Sequence, residues 1–219
     1  MKKLQLVTAF IILFLSWGCG PAITFNEPQP ANVAALSSFP DKLKGDYLSE
    51  DGESTVSISD KIMLRTYDYQ VADHKDSIQG SWHVGHDTLY SGKGSDSVLA
   101  TNVSIKGDSI ISRVHYVDTL FLISENGVMK KFKGYYFLND LVKNDSNKNA
   151  WAVKQIALAR GTLTISAIGN PKDLDNLREI TETTDTATYN FSPSPKQFRQ
   201  FIRRRGEVPG TRFHHIKHS

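Results

Sequence analysis

Along most of the chain apolar and polar residues alternate with a period of two, the spacing of a strand with one face buried. Thr55-Val56-Ser57-Ile58-Ser59 and Thr162-Leu163-Thr164-Ile165-Ser166 alternate cleanly. Ile62 and Leu64 alternate with Met63 and Arg65 ahead of Tyr67 and Tyr69, and Leu99, Thr101, Val103 and Ile105 share one face of a further run. Turn residues separate the runs, as in Glu50-Asp51-Gly52, Gly92-Lys93-Gly94, Lys106-Gly107-Asp108 and Arg160-Gly161. Asn126-Gly127, between Leu122-Ile123 and Val128-Met129, predicts a two-residue hairpin. Short turns join antiparallel neighbours. The pattern therefore predicts an all-β (mainly β) domain over residues 41–192, an antiparallel meander that closes into a barrel or folds over as a sandwich.

Two segments change to the helical period. Asn170-Pro171, followed by Leu174, Leu177 and Ile180 on one face, predicts a short helix near 171–180. Ser194-Pro195-Lys196-Gln197 is a capping box with proline in the first turn; Phe198, Phe201 and Ile202 follow, and Gly206 ends the pattern. This C-terminal helix, near 195–205, has an apolar stripe that needs a surface to cover. Residues 193–219 are thus expected to be a basic helix and tail packing on the β domain.

The longest apolar stretch, Leu4 to Trp17, follows Lys2 and Lys3 and is read as a signal peptide over residues 1–18. About fourteen residues at 1.5 Å each span roughly 21 Å, short of the ~30 Å hydrocarbon core of a bilayer. The stretch ends in Leu15-Ser16-Trp17-Gly18-Cys19, which resembles the lipobox of bacterial lipoproteins. The resemblance implies a diacylglyceryl thioether on Cys19, cleavage before it and acylation, by palmitate for example, of the new amino terminus. Cys19 is the sole cysteine, and an alkylated sulfur suits an exported chain in an oxidising compartment. Gly20 to Pro40, with prolines at 21, 28, 30 and 40, is read as part of a lipidated flexible tether over residues 19–40, although Phe25, Val33, Leu36 and Phe39 are apolar enough to pack on the domain.

Charge sharpens this picture. Loss of Lys2 and Lys3 lowers the formal net charge from +3 to +1. From Pro193 onward seven bases face one acid, Glu207, so a mildly acidic body carries a basic end. Arg199, Arg203, Arg204 and Arg205 are the candidate patch for an anionic partner; positions 199 and 203 lie one helical turn apart. With a single cysteine, neither an intramolecular disulfide nor a thiolate zinc cluster can form.

The candidate chemistry is sparse. His83, His86 and Asp87 form the one local cluster of metal-ligand types, and a site there needs a turn at Gly85 and a further ligand such as His74 or His115. No Gly-x-Ser-x-Gly elbow or phosphate-wrapping loop is present, and no cofactor is expected. Gly45-Asp46-Tyr47, opening the first strand of the domain, resembles the Gly-x-Trp start of lipocalin-type barrels, which implies a barrel with an apolar ligand inside. Trp82, Trp151, Tyr135 and Tyr136 are the candidate lining.

Taken whole, the chain resembles the small uncharacterised lipoproteins of bacterial envelopes. The expected function is non-enzymatic, a binding or interaction module anchored by lipid to the outer membrane and facing the periplasm. Its expected partners are the membrane and an envelope protein or apolar small ligand, with no nucleic acid. The alternative is a metal-assisted or His/Asp-dependent periplasmic hydrolase.

Overall fold

The computed structural model describes residues 23–77, 82–85, 88–91, 99–144, 147–181, 183–185, 189–206 and 210–216. The amino-terminal strands are β1 (Thr24–Phe25), β2 (Ala35–Leu36), β3 (Gly45–Ser49), β4 (Ser54–Ile58) and the long β5 (Ile62–His74). Next come β6 (Trp82–Gly85), β7 (Thr88–Ser91), β8 (Leu99–Lys106), the long β9 (Ser109–Leu122) and β10 (Gly127–Phe132). They are followed by β11 (Tyr135–Lys143), β12 (Asn149–Ala159), β13 (Thr162–Ala167) and helix α1 (Pro171–Ile180). The chain continues through β14 (Thr183–Asp185), β15 (Asn190–Phe191), α2 (Pro195–Arg205) and β16 (Thr211–His215).

Neighbouring strands form one large antiparallel sheet in the order β6-β7-β8-β9-β5-β4-β3-β16-β13-β12-β11-β10-β2. A second branch, β1-β15-β14, leaves from β12, and its β1–β15 pair is parallel. The meander is interrupted where β16, from the far end of the chain, enters between β13 and β3. Gly210 permits that entry: a Cβ there would stand 2.5 Å from the Ile165 carbonyl oxygen.

The sheet rolls up. Six inter-strand steps separate β12 from β9, about 29 Å if flat, yet the Lys154 ammonium on β12 donates to the Leu120 carbonyl on β9 at 3.2 Å. Met63, Phe121, Met129, Tyr136, Leu138 and Phe213, drawn from both ends of the strand order, fill one inner cluster. The roll does not close into the expected barrel. Between β9 and β10 stands only the isolated bridge Ser124–Gly127, because the outer edge of β10 is occupied by β2, Met129 against Leu36 and Lys130 against Ala35. Asn126-Gly127 accordingly marks a tight turn but joins no paired hairpin. Gly127 serves there through close approach: a Cβ would lie 1.9 Å from the Leu122 carbonyl oxygen. In the lipocalin-like tripeptide, Gly45 takes φ +125° and Tyr47 is buried, its hydroxyl donating to the Leu43 carbonyl.

A second apolar cluster lies on the outer face of β11 and β12. Phe25, Phe137, Val153 and Phe191 meet Leu174 and Leu177 of α1 and Phe198, Phe201 and Ile202 of α2. Both helices start at capping boxes with proline in the first turn and span the ranges expected from the sequence. The Gln197 amide and the Arg204–Glu179 ion pair join one helix to the other.

Residues 23–40 are a packed element of the domain and not the expected tether. Ile23, Phe25, Ala31 and Phe39 are buried. The buried Asn139 amide accepts from the Gln29 N–H and donates to its carbonyl, and the Lys130 ammonium donates to the Pro28 and Pro30 carbonyls. The proline-rich stretch between β1 and β2, which lies outside the ladder, satisfies carbonyls through these two side chains, and burial pushes the Lys130 ammonium below the ordinary lysine range.

Gly127→Ala is expected to cost about 1–3 kcal/mol through overpacking against the Leu122 backbone, read as a lowered urea midpoint. The pH dependence follows from three carboxylates held below the ordinary range: Asp51 by the Ser49 hydroxyl and Glu53 amide, Asp60 by Lys44, and Asp68 by Arg113. Their folded values are depressed, so their stabilisation is present above the unfolded value near 4 and disappears as pH falls through the folded values. Urea midpoints should drop below about pH 4, and Asp68→Asn should make that drop shallower.

Candidate functional site

The basic end of α2 divides between core and surface. Arg205 lies seven residues beyond Phe198, on the same helix face as Phe198, Phe201 and Ile202, so the helical period carries it inward. It is 2% exposed and is not part of the expected surface patch. Its Nε donates to Asp173 Oδ1 at 2.8 Å, its Nη2 to the Ala167 carbonyl at 2.6 Å and to Asp173 Oδ2 at 3.3 Å, and its Nη1 to Gln155 Oε1 at 2.6 Å. Asp173 in turn caps α1, accepting from the Gly169 N–H at 3.1 Å. One guanidinium thus joins α1, α2, β12 and the end of β13. The other three arginines are exposed: Arg199 lies over the Phe132 ring at 5.8 Å, Arg204 pairs with Glu179 at 2.6 Å, and Arg203 follows Arg199 by one turn.

Beside this network a pocket of about 380 Å³ opens on the outer face of β12 and β13. Residues in cross-strand register line it, Ala157 against Thr164 and Gln155 against Ser166. Tyr135 forms a wall. Lys133, at the β10–β11 turn, and Arg212, which β16 places beside Thr164, are exposed and stand at the mouth. The buried Arg205 lies at the inner end, and the exposed Gly206 also lines the pocket. None of the described lining residues carries a carboxylate. The arrangement offers cations and hydrogen-bond donors to a ligand that brings acceptors and negative charge.

Lys133 and Arg212 are the residues that sequence reasoning missed. They lie 79 positions apart in the chain and line one pocket because β16 inserts beside β13 while β11 pairs on the other side of β12. The inward turn of Arg205, by contrast, was already readable from its spacing to Phe198.

Among the described residues the remaining candidates are not assembled into a site. His83 lies in β6 opposite Tyr90 in the ladder, while His86, Asp87 and Cys19 fall outside the described residues. His74 and His115 are exposed and lie near Asp76 and Asp68, at 3.4 and 3.8 Å. Among the described residues no group of three or more His, Cys, Asp or Glu side chains is placed to hold a metal ion. Tyr136 fills the inner cluster, whereas Tyr135 and Trp151 pack with the outer one. The cavity at the inner cluster, edged by Arg65 and Lys154, measures about 80 Å³. That is well under the ~300 Å³ typical of a small-molecule site.

Arg205→Met leaves the Asp173 carboxylate buried without its cation and is expected to cost about 3–5 kcal/mol in urea denaturation. Adding Asp173→Asn, which keeps an acceptor for the α1 cap but removes the charge, should restore part of that loss. Comparison of the chain with protein-family models, with curated proteins and with solved structures finds no match.

Proposed function

We propose that the protein is a lipid-anchored bacterial envelope module that binds an acidic ligand or partner at the pocket between α2, β12 and β13, and that it performs no catalysis. The observation that carries the binding reading is the chemistry of the lining: Lys133 and Arg212 at the mouth, amide and hydroxyl groups within, and no carboxylate among the described lining residues. The exposed Arg199 and Arg203 extend positive charge along α2 beyond the pocket and favour encounter with an acidic partner.

The anchor reading rests on the basic and apolar leader ending at Cys19. No helix among the described residues is long and apolar enough to cross a membrane. The packing of Ile23 alters the expected geometry of attachment. Only Gly20, Pro21 and Ala22 separate Cys19 from it, a span of at most about 14 Å. A thioether-linked lipid on Cys19 would hold the domain close to the headgroups of the outer membrane, on its periplasmic side, in place of the longer leash expected from the sequence.

Metabolic labelling with palmitate in a bacterial host tests the anchor. The full chain should take up label and sediment with membranes. Cys19→Ala should lose the label completely. Recovery of unlabelled, uncleaved protein in the soluble fraction overturns the anchor.

A further inference from the structure

We infer that the pocket takes a small organic acid that also carries a neutral carbonyl acceptor, its anionic group at the mouth and its carbonyl at the inner end. The inference rests on the reading of this pocket as the binding site.

The two ends of the pocket differ in charge. At the inner end Arg205 is already neutralised, with Asp173 accepting from both Nε and Nη2. What remains there is Gln155, 7% exposed. A guanidinium only donates, so the Gln155 oxygen must be the atom facing Arg205 Nη1 at 2.6 Å, and the amide NH₂ is turned away from it. Gln155 lines the pocket, and the NH₂ turned away from Arg205 is the donor group its amide has left to offer there. The Arg205 network thus presents an uncharged donor pair of set orientation at the inner end, well matched to a carbonyl oxygen.

The mouth is cationic. Lys133 and Arg212 are exposed and form no ion pair with any described residue. Arg212 stands in the same cross-strand row as Thr164 and Ala157, one residue pair along the sheet from Gln155 and Ser166. Along β12 that offset is about 7 Å, and across to β16 about 10 Å. A bare inorganic anion can meet the rim but not the inner amide at the same time. A body several bonds long, lying over Ala157 and against Tyr135, meets both, and about 380 Å³ is enough to hold it. A doubly charged group pushed inward would approach the Asp173 carboxylate behind Arg205, which directs the charge of the ligand to the rim.

Calorimetric titration of the full chain in detergent, with matched probes, tests this. N-acetylmuramic acid has both a carboxylate and an acetamide carbonyl; N-acetylglucosamine lacks the acid, and lactate lacks the acetamide. The acid with both groups should bind at least tenfold more tightly than either partial probe and than inorganic phosphate. Gln155→Glu keeps an oxygen for Arg205 but replaces the donor with an acceptor, and should erase the advantage over lactate. Arg212→Ala, on the exposed rim, should erase the advantage over N-acetylglucosamine and carries the test even if Gln155→Glu does not fold. N-acetylglucosamine or phosphate binding as tightly as N-acetylmuramic acid overturns this ligand class while leaving a pocket that binds. If none of the probes binds, the pocket reading falls with it.

Discussion

The structure depends on β11 and β12 being buried on both faces. A strand presents alternate residues to opposite sides, so two adjoining strands can serve two cores only if nearly every position is apolar or internally bonded. Tyr136, Leu138 and Ile156 face the rolled interior, while Phe137 and Val153 face the helices. Two amides on the helix-facing side, Asn139 and Gln155, are the polar exceptions. Each organises a distant part of the chain, Asn139 the proline-rich segment around Gln29 and Gln155 the guanidinium of Arg205. A buried amide must find partners, and the partners these two find are what hold the amino-terminal segment and the last helix in place.

The same constraint shapes the site. Arg205 can be buried because Asp173, Gln155 and the Ala167 carbonyl together take up its charge and four hydrogen bonds. Because its charge is balanced internally, its contribution to the pocket is to orient a neighbour more than to attract an anion. Positive charge available to a ligand comes instead from Lys133 and Arg212, exposed side chains on elements that pack against the network. In the proposed site, stability and recognition are linked through one side chain, Gln155.

Local signals were legible where neighbouring residues supply the physics. Asn170-Pro171 and Ser194-Pro195 mark helix starts because capping is a contact between residues three apart, and the helices begin there. Alternation marks strands for the same reason. Asn126-Gly127 misled because a hairpin needs its flanking strands to pair, and β2 takes the place that β9 would have occupied beside β10. The prolines of residues 23–40 suggested a tether, but the carbonyls they leave unpaired are met by Lys130 and Asn139, about a hundred positions away. The arginine run was visible as charge, and the face carrying Arg205 inward was visible in the helical period.

What the sequence determined alone is the strand-rich class, the two capped helices and the uneven distribution of charge, all of them set by contacts within a few residues. The tertiary structure decided that the sheet rolls without closing, that the amino-terminal segment docks, and that Lys133 and Arg212 share one pocket with Gln155. Those outcomes depend on which strand edges meet, and the free energy of edge pairing comes from residues far apart in the chain, where a period read along the sequence carries no information about the partner.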